Sequence, residues 1–178
     1  MPTTFNLGNP TPTRGTWKTR YYKVTAAQTF KVGDWLYLDA SGTLVVAAAA
    51  GANVGAVYLV GRALANAADV LAQSHPYNRC PVECPSDDGE FLIQVSTTDA
   101  TTTLDDTTLL GGAAGALLTL PLRHTTAGQW TADKGADENN DVVVLTERAL
   151  DYAVDDSEAR PWFWGRILES MKATGTPL

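Results

Sequence analysis

The sequence predicts a mainly β fold: a compact antiparallel β-sandwich or barrel-like domain with an extended N-terminal arm and few short helices. Three observations lead to this prediction. Short segments of alternating apolar and polar residues recur along the chain, separated by clusters of Gly, Asp, Asn and Thr. Only 19% of the residues are charged, below the roughly one quarter typical of soluble domains. Pro and Thr are concentrated in the first 20 residues, where the sequence predicts no regular element.

The chain has 178 residues, which is the length of one domain. We divide it into an N-terminal arm, 1–24, and a β domain, 25–178. Within the β domain a loop-rich insertion is predicted at 97–140, because Thr, Asp and Gly dominate its first part. The sequence GQWTAD at 128–133 predicts a short strand and turn within that insertion.

The clearest local pattern lies at 35–46 and predicts a β-hairpin. The segment WLYL at 35–38 has the period-two alternation of a strand with two unlike faces. The turn DASG at 39–42 combines an Asp that can accept backbone hydrogen bonds with a Gly that tolerates positive φ. A second turn precedes the hairpin, so the predicted structural turn residues are Gly33, Asp34, Asp39, Ser41 and Gly42.

The same pattern predicts further strands at 54–64, 89–96, 142–154 and 159–168, and a short helix at 65–73. In the last strand Trp162 and Trp164 alternate with Phe163. We expect the two Trp rings to form a sheet face in the core. Trp rings beside carboxylates also suit sugars, so a carbohydrate-binding β-sandwich remains an alternative.

Charge is distributed unevenly along the chain. Residues 1–33 contain five basic side chains and no acidic one, whereas the other residues contain 8 basic and 20 acidic side chains. A basic leader on an acidic body suggests an arm that binds an acidic surface, favouring a neighbouring copy of the chain over nucleic acid. The alternative is an arm that lies on its own body. The predicted partner-binding residues are Arg14, Trp17, Lys18, Arg20, Tyr21, Tyr22 and Lys23.

Two cysteines, Cys80 and Cys84, leave three interpretations open. A metal site would need more ligands than the nearby His75 provides. A local disulfide would close a very small ring and stabilise the fold little. We favour two free thiols, because an unpaired Cys commonly packs as a small apolar residue.

The sequence contains none of the usual catalytic motifs. It lacks a nucleophile elbow, a phosphate-binding loop and a dinucleotide fingerprint. The acids at 86–90 do not follow the calcium-loop pattern. We therefore expect no enzyme activity, no metal and no cofactor.

The sequence also has no run of 18 apolar residues and no signal-peptide pattern at its start. We expect a protein that is made in a cytoplasm and binds neither a membrane nor nucleic acid.

The segment from 26 to 64 resembles the head decoration, or cement, proteins of tailed bacteriophages. An apolar lead-in, a Gly-Asp turn, a strand, an Asp-x-Ser-Gly turn, an Ala-rich step and a Gly-flanked strand follow one another. The residues that carry this resemblance are Phe30, Gly33, Asp34, Leu38, Asp39, Ser41, Gly42, Val54, Gly55 and Gly61. The GQWTAD turn and the strand after it resemble the C-terminal part of such proteins, so somewhat more than half of the chain is covered.

The resemblance implies a structural virion protein on the capsid exterior, synthesised in the bacterial host cytoplasm. Such proteins bind the outer surface of an icosahedral shell and stabilise it by bridging neighbouring capsomers. The implied partners are the major capsid protein and further copies of the chain, in a homotrimer. Another phage tail or virion module is the alternative within the same class.

Overall fold

The computed structural model describes residues 12–72, 78–96, 118–134, 141–149 and 162–173. The described elements are β1 (Thr13–Arg14), β2 (Trp17–Lys23), β3 (Trp35–Leu38), β4 (Leu44–Val46), β5 (Ala52–Asn53), β6 (Leu59–Ala63), α1 (Ala67–Ala72), β7 (Arg79–Pro85), β8 (Glu90–Ser96), β9 (Thr119–Leu120), β10 (Leu122–His124), β11 (Trp130–Asp133), β12 (Val143–Arg148), β13 (Trp162–Ile167) and a 3-10 helix (Glu169–Met171). The predicted mainly β fold with few short helices is confirmed.

Two packed sheets contain all thirteen strands and form a sandwich, not a closed barrel. The larger sheet has the order β5-β10-β11-β8-β13-β12-β9, and β1 adds to β8. Its one parallel pair is β8 with β11, and its other pairs are antiparallel. The smaller sheet is antiparallel and has the order β2-β7-β6-β3-β4.

Apolar side chains form two cores, one on each face of the smaller sheet. Trp35 belongs to the core that the larger sheet also lines, together with Phe91 and Phe163. Its neighbour Leu36 belongs to the second core, together with Val70 of α1. Consecutive side chains of a strand point to opposite faces, so β3 contributes to both cores. The smaller sheet is therefore the middle layer of the fold.

The hairpin predicted at 35–46 is confirmed, with β3 and β4 in antiparallel register. Asp39 Oδ1 accepts hydrogen bonds from the backbone N–H groups of Ser41 and Thr43, both at 2.9 Å. Gly42 has φ +70°, a conformation that Gly adopts without a steric cost. Because these bonds are local, the turn residues alone account for this hairpin.

Residues 13–23 do not form part of an arm, so the predicted arm boundary at 24 is wrong. Thr13–Arg14 pairs with β8, and Trp17–Lys23 pairs with β7 over all seven residues. The Pro residues that suggested an extended leader end at Pro12, and the aromatic and β-favouring residues after it form a strand. The part of the predicted arm before residue 12 lies outside the described residues.

Two further predictions need correction. Residues 118–134 of the predicted insertion form β9, β10 and β11, which are integral strands of the larger sheet; 97–117 and 135–140 lie outside the described residues. Trp162 and Trp164 do not belong to the core, because Phe163 and Ile167 occupy the buried face of β13. Trp162 and Trp164 share one face of β13, as their alternation with Phe163 predicts, but the face of Phe163 is the buried one.

Candidate functional site

Strand β2 is the longest edge strand among the described elements. It pairs with β7 from Trp17 opposite Pro85 to Lys23 opposite Arg79, and no described strand pairs with its other side. The other sheet ends, β4, β5 and β9, have only two or three residues. A long open edge is where another protein can dock. β2 is therefore the first candidate for a partner-binding surface.

The side chains of β2 make this edge basic and partly aromatic. Lys18, Thr19 and Lys23 are exposed, and Tyr21 keeps 56% of its surface exposed. Arg20 is half-buried. Since side chains alternate along a strand, Lys18 and Arg20 share one face and Tyr21 the other. We call Lys18, Thr19, Arg20, Tyr21 and Lys23 the β2 surface.

Three of the predicted partner-binding residues have structural roles instead. Arg14 forms ion pairs with Glu90 and Glu147, and its guanidinium lies 4.5 Å from the centre of the Trp164 ring. The Trp17 indole donates a hydrogen bond to the Arg14 carbonyl and packs against the first core. Tyr22 is buried in the second core. Four of the seven predicted residues, Lys18, Arg20, Tyr21 and Lys23, thus remain in the β2 surface.

A buried cation holds β2, β6 and β7 together beneath this surface. Arg62 is 2% exposed, and its Nη2 lies 2.6 Å from the Glu83 carboxylate. The guanidinium carbon lies 4.9 Å from the centre of the Trp17 ring and 5.8 Å from that of Trp35. Burial lowers the pKa of Arg62, and the attraction of Glu83 opposes that shift. Gly61 permits the close approach of the β6 and β7 backbones, because a Cβ at residue 61 would lie 2.2 Å from the Glu83 carbonyl oxygen.

The two cysteines are free, as we expected. Cys80 is buried, and burial raises its pKa to about 11. Cys84 Sγ lies 3.9 Å from the Tyr22 hydroxyl, whose pKa burial raises to about 12. Thiols react as thiolates, so burial disfavours the reactive form of Cys80.

A second polar cluster joins the two sheets through the predicted turn residue Asp34. Its Oδ1 accepts a hydrogen bond from Trp130 Nε1 at 3.0 Å, and its Oδ2 accepts one from the Lys31 N–H at 2.8 Å. The His124 ring stacks on Trp130 with 4.5 Å between ring centres. The sequence indicates Asp34 as a turn residue but gives no sign of Trp130 and His124, which lie about ninety residues away along the chain. The turn residue Asp34 thus links the two sheets.

An open groove of about 640 Å³ lies beside the β3–β4 hairpin. Its aromatic residues are Tyr37 and Tyr58, and Tyr58 is 66% exposed. Sequence analysis missed this groove because its walls come from three distant segments. The only local signal was Tyr58, an aromatic residue between the small residues of 54–57 and the buried strand that follows.

No protein-family model matches the chain, and no curated protein or solved structure shows significant similarity to it. Among the described residues, no group of three or more His, Cys, Asp or Glu side chains is placed to hold a metal ion. The described helices include none that is long and apolar enough to cross a membrane.

Proposed function

We propose that this chain is a structural virion protein that binds the outer surface of an icosahedral phage capsid. It stabilises the shell by bridging neighbouring capsomers. The observation that carries the proposal is the β2 surface, which lies on a seven-residue open edge strand and presents exposed Lys and Tyr side chains on a chain of net charge −7. The sequence resemblance to cement proteins supplies the class of partner.

The chemistry of the β2 surface fits an acidic protein partner. Lys18, Arg20 and Lys23 supply three positive charges without an acidic residue between them, and Tyr21 offers an aromatic contact of the kind enriched at interfaces. Nucleic acid is a poorer partner, because the rest of the chain carries 20 acidic side chains and would be repelled by phosphates. The proposed partners are the major capsid protein and other copies of this chain in a homotrimer.

The proposed role of the β2 surface is binding. Its lysines are exposed and can reach a partner. Many weak contacts distributed over a shell add together through multivalency. Such an arrangement stabilises an assembly without needing a high affinity at any one contact.

The test is co-sedimentation with expanded phage heads from which this protein has been stripped. We expect saturable binding that weakens at high salt, because exposed charges are screened. Lys18→Glu and Lys23→Glu should each weaken binding roughly tenfold, since each replaces an attraction of up to about 1 kcal/mol by a repulsion of similar size. Lys31→Glu is the matched control, because Lys31 is an exposed lysine outside β2.

Two results would contradict the proposal. One is the absence of binding to heads by protein that circular dichroism shows to be folded. The other is an equal loss for Lys18→Glu and Lys31→Glu, which would show that net charge and not the β2 surface controls binding.

A further inference from the structure

The groove beside the β3–β4 hairpin is a second surface feature that capsid binding does not use. Strands β7 and β6 lie between β2 and β3 in the smaller sheet. Three strand spacings of about 4.8 Å separate β2 from β3 by roughly 14 Å. The volume of about 640 Å³ falls within the range typical of small-molecule sites. A ligand could therefore occupy this groove independently of contacts at β2.

Three chain segments form the walls of the groove, and backbone bonds fix two of them together. The C-terminal wall is attached to β6 by its backbone. The Ala173 N–H donates to the Leu59 carbonyl at 2.9 Å, and Lys172 forms an isolated parallel β-bridge with Leu59. Within the β3 wall, Tyr37 lies opposite Leu59. The three segments are 37–40, 56–58 and 169–170 with 172–173.

The apolar part of the lining suits a ligand with aliphatic faces. Tyr58 is 66% exposed, although a large aromatic side chain usually gains by burial. Tyr37 is half-buried, and Ala40, Ala56 and Val57 add small apolar surface next to the rings. An aromatic face packs well against C–H groups, and each tyrosine keeps a hydroxyl that can form hydrogen bonds.

The lysine of the groove lining, Lys172, is already paired with carboxylates. Lys172 Nζ lies 2.9 Å from the Glu169 carboxylate and 3.5 Å from that of Asp87, and it donates to the Ser86 carbonyl at 3.2 Å. The Lys172 side chain is only 10% exposed. An anionic ligand would thus find its cation occupied by two carboxylates, and a cationic ligand would have to compete with Lys172. A neutral ligand would leave both ion pairs of Lys172 in place.

The remaining polar groups can exchange hydrogen bonds with hydroxyls. Asp39 uses Oδ1 for its own turn, and its carboxylate is an acceptor at the groove wall. Glu169 and Ser170 are both exposed and add an acceptor and a hydroxyl. A pyranose ring presents C–H groups that pack on aromatic faces and hydroxyls that bind to acceptors. The groove offers both kinds of partner. We propose that this groove binds a neutral oligosaccharide, stacked on Tyr58 and Tyr37 and hydrogen-bonded by Asp39, Glu169 and Ser170.

The test is a titration of the full-length protein with neutral oligosaccharides, followed by backbone amide NMR shifts. The probes are maltohexaose, cellohexaose, a mannose hexamer and chitotetraose, each up to about 10 mM, which covers dissociation constants near 1 mM. We expect at least one probe to shift the amides of Ala40, Val57 and Ala173 saturably, while those of β2 stay unchanged. A blocked neutral peptide of similar length serves as the competing ligand class.

Tyrosine variants locate the binding site. Tyr58→Ala should weaken binding at least tenfold, and Tyr58→Phe should retain it within about threefold, because stacking on a ring contributes roughly 1 kcal/mol or more. Tyr21→Ala is the matched control, since Tyr21 is 56% exposed and lies on β2. Circular dichroism verifies that the variants fold, which we expect because both rings are largely exposed.

Three outcomes would overturn the inference: no shift with any sugar, preferential binding of the peptide, or an equal effect of Tyr58→Ala and Tyr21→Ala. Each of these leaves the capsid proposal intact, because that proposal depends on β2. Conversely, a protein that binds sugar but not phage heads would retain the groove site and lose the capsid role.

Discussion

The buried pair of Arg62 and Glu83 provides the sharpest prediction about stability. Replacing Glu83 by Gln keeps the size of the side chain and removes its charge, so a guanidinium that is 2% exposed loses the carboxylate 2.6 Å away. Unit charges about 4 Å apart attract by about 4 kcal/mol at an effective dielectric constant near 20. The Glu83 side chain is 19% exposed, so solvent reduces this value. We expect Glu83→Gln to lower the free energy of unfolding by about 3 kcal/mol.

Urea unfolding followed by Trp fluorescence measures this loss. The matched control is Glu147→Gln, because the Glu147 carboxylate pairs with Arg14 at 2.7 Å but its side chain is 61% exposed. That control should lose less than about 1 kcal/mol. Combining Arg62→Met with Glu83→Gln should recover most of the loss, because the buried charge is then gone. A loss below about 1 kcal/mol for Glu83→Gln alone would refute the reasoning, since the ion pair would then contribute little to the stability of the fold.

Three further predictions concern the sheets and the second core. In urea unfolding, Gly61→Ala should lower the free energy of unfolding by more than about 3 kcal/mol, because its Cβ would clash with the Glu83 carbonyl. Gly42→Ala should lower it by about 1–2 kcal/mol, because Gly42 has φ +70° but no atom lies within 4 Å of the new Cβ. Asp34→Ala should cost about 2 kcal/mol, because it removes the acceptor of the Trp130 N–H, and Asp34→Asn should cost less by the same assay. Burial raises the pKa of Tyr22 in the folded protein to about 12, above its unfolded value of 10.0. The free energy of unfolding should therefore decline from pH 10 towards pH 12. An unchanged decline in a Tyr22→Phe variant would show that Tyr22 is not its cause.

Features determined by local sequence could be predicted. The hairpin at 35–46 was predicted because Asp39 bonds the backbone within four residues and Gly42 supplies the positive φ. The short helix was also predictable, and α1 (Ala67–Ala72) lies within the expected range. In both elements, residues only a few positions apart determine the backbone conformation.

Features determined by distant pairing could not be predicted. The partner of Trp17 in the smaller sheet is Pro85, and nothing near Trp17 signals that pairing. Alternation showed that Trp164 and Phe163 lie on opposite faces, but only the second sheet decides which face is buried. The parallel contact of β8 with β11 places Trp130–Asp133 in the sheet and not in a separate insertion.

The candidate sites illustrate the same limit. The basic residues of β2 were visible in the sequence, because a cluster of Lys and Arg needs no fold to be noticed. The sequence does not show which side chains of β2 are buried. Trp17 and Tyr22 are therefore predicted as partner-binding residues, although they pack against the two cores. The groove joins residues 37–40, 56–58 and 169–173, which only the folded chain brings together.

The most direct test of the central claim is the thermal stability of expanded phage heads with and without this protein. Calorimetry of stripped heads should show a higher disruption temperature after saturation with the wild-type chain. Protein carrying Lys18→Glu and Lys23→Glu together should leave that temperature unchanged at the same concentration. Heads that bind the wild-type chain at saturation but melt at the temperature of bare heads would contradict the claim that it bridges and stabilises capsomers.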